Sequence, residues 1–296
     1  MFESHFGFSS SPFALNPDPA FFFASKGHAR ALAYLKYGVF QREGFIVVTG
    51  EIGSGKTTLV RALLEGLNPD EVVAAQVRNT QLDSTELLHA ICTAFGVAVG
   101  GPTKSHMLAA LEACFTALAA RGKRALLIVD EAQNLGLKEI EELRMLSNFQ
   151  FGSHALVQSF LIGQPELRQL LRSPALEQLS QRIIAACHLG PLGVEETRSY
   201  IEHRLRHVGW TGRPAIEPEA FDRIHAHTGG IPRRINLLCS RLLLAAWLGE
   251  SATVDGAAVE LAAEDMHAEA FGSAGEPPST ADSSSINAPV AQKNAP

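Results

Sequence analysis

Five short apolar runs divide the chain, and between them apolar residues recur every three or four positions. The runs are Phe45-Ile46-Val47-Val48-Thr49, Val72-Val73-Ala74-Ala75-Gln76-Val77, Ala125-Leu126-Leu127-Ile128-Val129, residues 155–162, and Ile183-Ile184-Ala185-Ala186-Cys187-His188-Leu189. Continuous rather than alternating apolar character predicts strands of a parallel sheet covered on both faces. The intervening segments read as helices. Residues 26–40 place Ala29, Leu32, Leu35, Tyr37 and Val39 at helical spacing, and residues 58–65 form a second helix closed by a C′ glycine at Gly66. Ser84 caps a helix carrying Leu87, Leu88, Ile91, Cys92 and Phe95 up to Gly96, and Ser105 opens another with Leu108, Leu111, Phe115 and Leu118 inward. Residues 138–149 turn Ile140, Leu143, Leu146 and Phe149 to the core. Strands alternating with helices predict an α/β domain built on a mostly parallel sheet.

From residue 192 the pattern is helical only. Residues 194–208, 218–227, 232–247 and 256–266 each carry apolar residues at helical spacing, which predicts a small helical bundle. Residues 1–23 hold seven phenylalanines among turn formers, including Asn16-Pro17-Asp18-Pro19. That stretch is too irregular for a helix and too aromatic for a disordered tail. It is expected to bury its rings over a pocket or the edge of the main domain, either as plain packing or as the wall of an adenine site. Residues 267–296 are rich in Ala, Ser and Pro, which predicts a disordered tail. The expected organisation is therefore an aromatic segment and leading helix (1–43), an α/β domain (44–191), a helical domain (192–266) and the tail (267–296).

Composition narrows the classes. With 296 residues, 46% of them hydrophobic, the chain can bury a large core. A net charge of −6 gives no general attraction to nucleic acid or an anionic membrane. Cys92, Cys114, Cys187 and Cys239 are widely spaced, without a C-x-x-C pair, and read as reduced thiols of a cytosolic protein. No stretch approaches the ~20 apolar residues of a membrane span.

The chemistry begins after the first strand. Gly50-Glu51-Ile52-Gly53-Ser54-Gly55-Lys56-Thr57 has the form G-x-x-x-x-G-K-[ST], the phosphate-binding loop or Walker A. Its glycines let successive backbone N–H groups curl around an anion, Lys56 reaches the β- and γ-phosphates, and Thr57 offers a hydroxyl to Mg²⁺ at a helix start, with Thr58 next to it. Such an octet arises by chance in roughly one chain in a hundred of this length, and the flanking strand and helix make chance rarer still. The run ending in Asp130-Glu131 places two carboxylates at the carboxyl edge of the sheet, where open α/β folds bind ligands. As a Walker B, Asp130 holds Mg²⁺ and Glu131 polarises the attacking water; taken alone, the pair could equally be an acidic helix cap. Gln164, in Gly163-Gln164-Pro165-Glu166, is a candidate to sense the γ-phosphate or orient water, against the alternative of a loop amide bonded to backbone. Thr228-Gly229-Gly230-Ile231-Pro232-Arg233-Arg234 puts two guanidiniums at a helix start, against the helix dipole. Either an anion binds there or the arginines form a surface salt bridge.

The order and spacing of these features across residues 45–266 resemble the AAA+ ATPases. That resemblance implies a P-loop NTPase fold with a helical lid. It also gives Gln164 the role of sensor 1, Arg233 that of sensor 2, and Arg182, just before the last strand, that of an arginine finger offered to a neighbouring subunit. Arg168 and Arg172 lie close enough in sequence to serve instead. The opening Met1-Phe2-Glu3-Ser4-His5-Phe6-Gly7-Phe8, the Pro12-Phe13 pair with Asn16-Pro17-Asp18-Pro19, Gly163-Gln164-Pro165-Glu166-Leu167 and Gly229-Gly230-Ile231-Pro232-Arg233-Arg234-Ile235-Asn236 are similar to secretion-associated ATPases of the ExeA/GspA type. Relatives of that type accompany exosortase and exopolysaccharide systems. The full-length secretion form continues into a membrane span and a periplasmic peptidoglycan-binding domain, whereas this sequence ends in a polar tail and looks more like the short, exosortase-associated form.

The resemblance implies an ATPase using ATP and Mg²⁺, cytoplasmic and held at the inner membrane through secretion or polysaccharide-assembly proteins, and a homo-oligomer, ring or dimer. A DNA-associated ATPase of the transposition or replication-loading kind is the alternative, and a nucleotide-gated scaffold without useful hydrolysis is a third. Against DNA, residues 192–266 hold eight Lys/Arg and eleven Asp/Glu, a balance of −3 where a nucleic-acid reader shows a basic footprint.

Overall fold

The computed structural model describes residues 2–271 apart from Pro17, Asn79, Pro102 and Ser153. A single helical turn, α1 (Phe2–Phe6), and a 3-10 turn at Pro19–Phe21 lead to α2 (Lys26–Gln41), β1 (Phe45–Gly50) and α3 (Lys56–Glu65). There follow β2 (Val72–Val77), α4 (Ser84–Ala94), α5 (Lys104–Ala120), β3 (Arg124–Val129) and α6 (Leu137–Leu146). A two-residue hairpin, β4 (Gln150–Phe151) with β5 (His154–Ala155), precedes β6 (Val157–Gly163), α7 (Glu166–Leu171), α8 (Glu177–Ser180) and β7 (Ile183–Leu189). The second domain comprises α9 (Val194–His207), β8 (Ala215–Ile216), α10 (Pro218–Thr228), α11 (Pro232–Leu248), β9 (Thr253–Val254) and α12 (Gly256–Phe271).

The five long strands form one parallel sheet in the order β2-β3-β6-β1-β7. Every residue of β1 and β6 is buried, as expected for central strands covered on both faces. On one face Phe45, Val47, Leu127 and Leu161 pack with α4, α5 and α6; on the other Ile46, Val48, Ile128 and Phe160 pack with α2 and α3. Alternate residues of one strand thus serve two cores. The order also fixes the chemistry: β6 lies between β1 and β3, so the ends of all three strands open onto one edge. Gln158, buried in β6, donates to the carbonyls of Gly38 and Glu43 (both 2.8 Å) and pins the C-terminal end of α2 to the opposite edge.

Local details differ from the sequence reading. The cap of α4 is Asp83, in a capping box with Glu86, rather than Ser84, and that of α5 is Thr103 rather than Ser105. In each case a better-placed acceptor stands one or two residues earlier. Gly66 ends α3 in a right-handed conformation, φ −83°, and so is no left-handed C′ glycine. The helical domain is not purely helical, because β8 and β9 pair in parallel. Its last helix runs to Phe271, five residues past the expected boundary at 266, while residues 272–296 of the expected tail lie outside the described residues.

The aromatic segment lies over a cleft, as expected, with Phe21, Phe22 and Phe23 in its lining, and it corrects two other expectations. It contains a helical turn, and its rings go chiefly to the helical domain: Phe8 and Phe13 are buried in one core with Ile201, Phe221, Ile235 and Leu242, and Phe2, Phe6, Phe21 and Phe23 pack against it. Fully burying a ring, as at Phe8 and Phe13, is worth about 1.5–3 kcal/mol, and the partly buried ones contribute less. Only Phe22 packs with the α/β core. The four cysteines are free, and burial pushes the Cys187 thiol up to about 11. Among the described residues no helix is long and apolar enough to cross a membrane.

Candidate active site

Between β1 and α3 the chain turns on glycines at left-handed angles, Gly53 at φ +80° and Gly55 at φ +96°. Space as well as angle requires glycine: an added Cβ would stand 2.4 Å from the Cβ of Arg233 at Gly53 and 2.8 Å from Nε2 of His28 at Gly55. The Lys56 side chain is buried and its ammonium donates to the carbonyls of Gly50 (2.8 Å) and Glu51 (3.0 Å). Burial lowers the Lys56 pKa, and Glu131, Asp130, Glu51 and Glu166 oppose that shift. Ile52, Gly53, Gly55, Lys56, Thr57 and Thr58 line one cleft; Ser54 is buried beneath them, its hydroxyl lacking a partner among the described residues.

Asp130 and Glu131 leave β3 in different directions. The Asp130 N–H extends the ladder by donating to Val77 (2.9 Å), and Glu131 then takes a left-handed backbone, φ 51°, which is costly for a side-chain-bearing residue. The Asp130 carboxylate accepts from the Glu131 N–H (3.0 Å) and the Gln76 amide (3.4 Å); burial raises its pKa, and neighbouring Glu131 adds to the shift. Glu131 Oε2 accepts from Gln133 Nε2 (2.6 Å) and Gln164 Nε2 (3.2 Å), while the Gln164 N–H donates to Gln133 Oε1 (2.9 Å). The side chain of Gln164 therefore bonds the carboxylate rather than loop backbone, and Gln133 locks the pair.

The helical domain closes over this edge. The Arg233 N–H, in the first turn of α11, donates to the carbonyl of Gly53 (3.2 Å), and its exposed guanidinium lines the same cleft with no carboxylate partner among the described residues. No salt bridge explains it. Arg182 stands elsewhere. Its neighbour Ile183 is level with Phe45 and Leu189 with Gly50, so Arg182 occupies the opposite edge of the sheet, roughly 20 Å from the loop at about 3.3 Å per residue. It is exposed and donates to Ser147 Oγ (2.9 Å). Arg168, on α7, and Arg172, at its C-cap, are exposed too.

Two groups with contacts in the cleft have no motif. His28 is buried under the loop, where Nε2 donates to the Ser54 carbonyl (3.0 Å), so Nδ1 is the acceptor for the Ser25 hydroxyl (2.8 Å). Its spacing from Ala31, Leu35 and Val39 places it on the buried stripe of α2, a signal present in the sequence. Burial lowers the His28 pKa, opposed by the Ser54 carbonyl and Glu196. Below the ordinary value of 6.5 the unfolded chain takes up a proton that the folded imidazole resists, so stability falls as the solution is acidified. His203, also depressed by burial, contributes a slope of the same sign. His28→Gln should therefore flatten the acid limb of thermal stability without abolishing it, as measured by melting from about pH 7.5 to about pH 5. The second group is a buried network on the helical domain, formed by Arg204, Tyr200 and Asn236, which lines the cleft together with Phe21 and Leu15.

These residues suit a nucleoside triphosphate with a divalent cation. Two left-handed glycines, a buried ammonium and a helix start line one cleft, and Thr57 and the Glu131 carboxylate, which line it too, are hard oxygen donors; Asp130 is buried behind that lining.

Residues 40–171 match the family model described as an AAA domain. The chain is 40% identical over 275 residues to General secretion pathway protein A of Aeromonas hydrophila, an alignment covering 90% of this chain and 48% of the relative, so it spans about half of that protein's length. Among solved structures it resembles the Aeropyrum pernix ORC2 protein in ADPNP–ADP complexes, with TM-score 0.65, 18% identity and coverage of 87% of this chain and 72% of that one. The Aeropyrum pernix ORC1 protein in complex with DNA gives TM-score 0.67 at 16% identity, covering 88% and 70%. The Thermotoga maritima RuvB Holliday junction branch migration motor gives 0.57 at 18%, covering 82% and 70%. At such identities the structural likenesses establish a shared fold.

Proposed function

The chain is an AAA+ protein, with the nucleotide-binding fold that implies, of the type represented by General secretion pathway protein A, and from that premise we propose that it is a Mg²⁺-dependent ATPase. We further propose that it energises or regulates assembly of an envelope secretion or exopolysaccharide/exosortase-linked apparatus, working on the cytoplasmic side and held at the inner membrane by its partners. The observation that carries the enzymatic reading is the Glu131 carboxylate, oriented by Gln133 and Gln164 on the edge that Lys56 and Arg233 share.

In this reading the loop N–H groups and Lys56 would hold the phosphates, and Thr57 and Asp130 would hold the cation. Mg²⁺ supplies charge neutralisation on the phosphate oxygens when bound. Glu131 takes up the proton of the attacking water, Gln164 keeps that carboxylate in line, and Arg233 carries the lid's charge to the γ-phosphate. Arg182 lies too far from its own loop to assist there, so it would serve a neighbour in a homo-oligomeric ring or dimer; Arg168 and Arg172 are the other candidates.

That arrangement has a testable signature. Arg182→Ala should lower turnover on the order of 10³-fold, and wild-type specific activity should rise with protein concentration. Mixing Arg182→Ala with Lys56→Ala should restore part of the activity, because each variant supplies what the other lacks. A mixture as inactive as its components would remove Arg182 from the site. For the pathway, a Glu131→Gln protein held in its ATP state should capture envelope-assembly proteins. Stimulation of ATPase activity by duplex DNA at physiological salt would instead favour a DNA-associated ATPase, which the acidic balance of residues 192–266 opposes.

A further inference from the structure

Arg204 is buried on α9 without a carboxylate partner among the described residues. A buried guanidinium is costly unless its donors are used. Here Nε donates to the Pro12 carbonyl (2.5 Å), Nη2 to the Ala14 carbonyl (3.3 Å) and Nη1 to the Tyr200 hydroxyl (2.9 Å). The guanidinium also lies 4.7 Å over the ring of Phe21. Three of these four contacts are to the aromatic strap, residues 8–23, which reaches α9 on one side and α3 on the other. The strap supplies Ala14, Leu15, Asp18 and Phe21 to the wall of the same cleft that the loop lines. Tyr200 passes the connection on by donating to Asn236 (2.9 Å), one turn beyond Arg233 on α11.

We propose that Arg204 is a positioning residue that latches the strap to the lid and so sets how long a nucleotide stays bound. A lysine could not replace it, because only the planar fork spans two backbone carbonyls and a hydroxyl while stacking on a ring. Among the described residues the strap holds few other polar contacts to the lid: the Ser9 N–H and hydroxyl both meet the Val208 carbonyl, and the other contacts are ring packing. Loss of the fork therefore loosens the backbone around Pro12 and Ala14, while the apolar contacts that α10 makes through Ala220, Phe221 and Ile224, in which the fork has no direct part, remain.

The proposal rests on the reading of the cleft as a nucleotide site, and the two are separable by experiment. Full-length wild type, Arg204→Lys and Arg204→Gln are compared in two measurements. In the first, hydrogen exchange without nucleotide should show faster exchange in residues 9–23 of both variants and a much smaller change in α10. Equal exchange in the strap, or loosening of the whole helical domain, would overturn the latch whatever the cleft binds. In the second, a fluorescent ATP analogue should dissociate about tenfold faster from the variants, with KM raised and kcat at saturating ATP within about twofold of wild type. Unchanged dissociation, or a fall in kcat alone, would overturn the role in residence time. Failure of the wild type to bind the analogue would overturn both that role and the nucleotide reading, while the exchange result still decides the latch.

Discussion

Lys56→Ala is expected to abolish ATP binding. The side chain is buried in its loop, with its ammonium held by the Gly50 and Glu51 carbonyls and facing the carboxylates of Glu131 and Asp130. Replacing a fixed cation there removes charge-assisted bonds to phosphate and leaves those carboxylates uncompensated towards an anionic ligand. Both effects act in the same direction, so the affinity loss should be a hundredfold or more, on the order of 3 kcal/mol. Titration calorimetry with ATP and Mg²⁺ measures it directly. The lost lysine bonds cost fold stability about 1–3 kcal/mol, so a thermal melt is needed to show that the variant remains folded. ATP binding and hydrolysis at wild-type levels in a folded Lys56→Ala protein would remove the P-loop from the chemistry.

The parts of this site written locally were legible in the sequence. Gly50 to Thr57 carries its own geometry, since three glycines and a lysine at fixed offsets dictate the turn, and Asp130-Glu131 announces itself by ending an apolar run. The sheet was equally plain because strands buried on both faces leave unbroken apolar stretches. What depended on distant partners was not. The strap could be recognised as aromatic, but nothing local says that Phe8 and Phe13 enter the core of a domain almost two hundred residues away. Arg204 reads as one of several arginines on α9 until the carbonyls of Pro12 and Ala14 are seen beside it. Gln133 looks like a loop amide until its two ends are found to join Glu131 and Gln164. The paired bridges β4–β5 and β8–β9 are too short to leave any periodicity.

Glu131→Gln should bind ATP normally and fail to turn it over. The substitution keeps size and shape, so the test isolates one proton-accepting oxygen. In the native protein Oε2 takes both amide donors, from Gln133 and Gln164, while Oε1 has no partner among the described residues and belongs to a side chain lining the cleft. A glutamine must satisfy the same two donors with its single carbonyl oxygen, because an NH₂ group turned towards them would meet donor with donor. Its own NH₂ is then forced to the Oε1 position, where it can donate to a water but cannot take that water's proton. In the proposed binding mode the ground-state contacts to phosphate would run through the loop and Lys56, which the substitution does not touch, so the affinity for ATP should stay within about threefold while kcat falls on the order of 10²–10⁴. Single-turnover hydrolysis set against fluorescent-nucleotide binding separates the two quantities. Full turnover by the glutamine variant would mean that another group activates the water, and the strained, left-handed backbone at Glu131 would then need a purpose other than aiming a base.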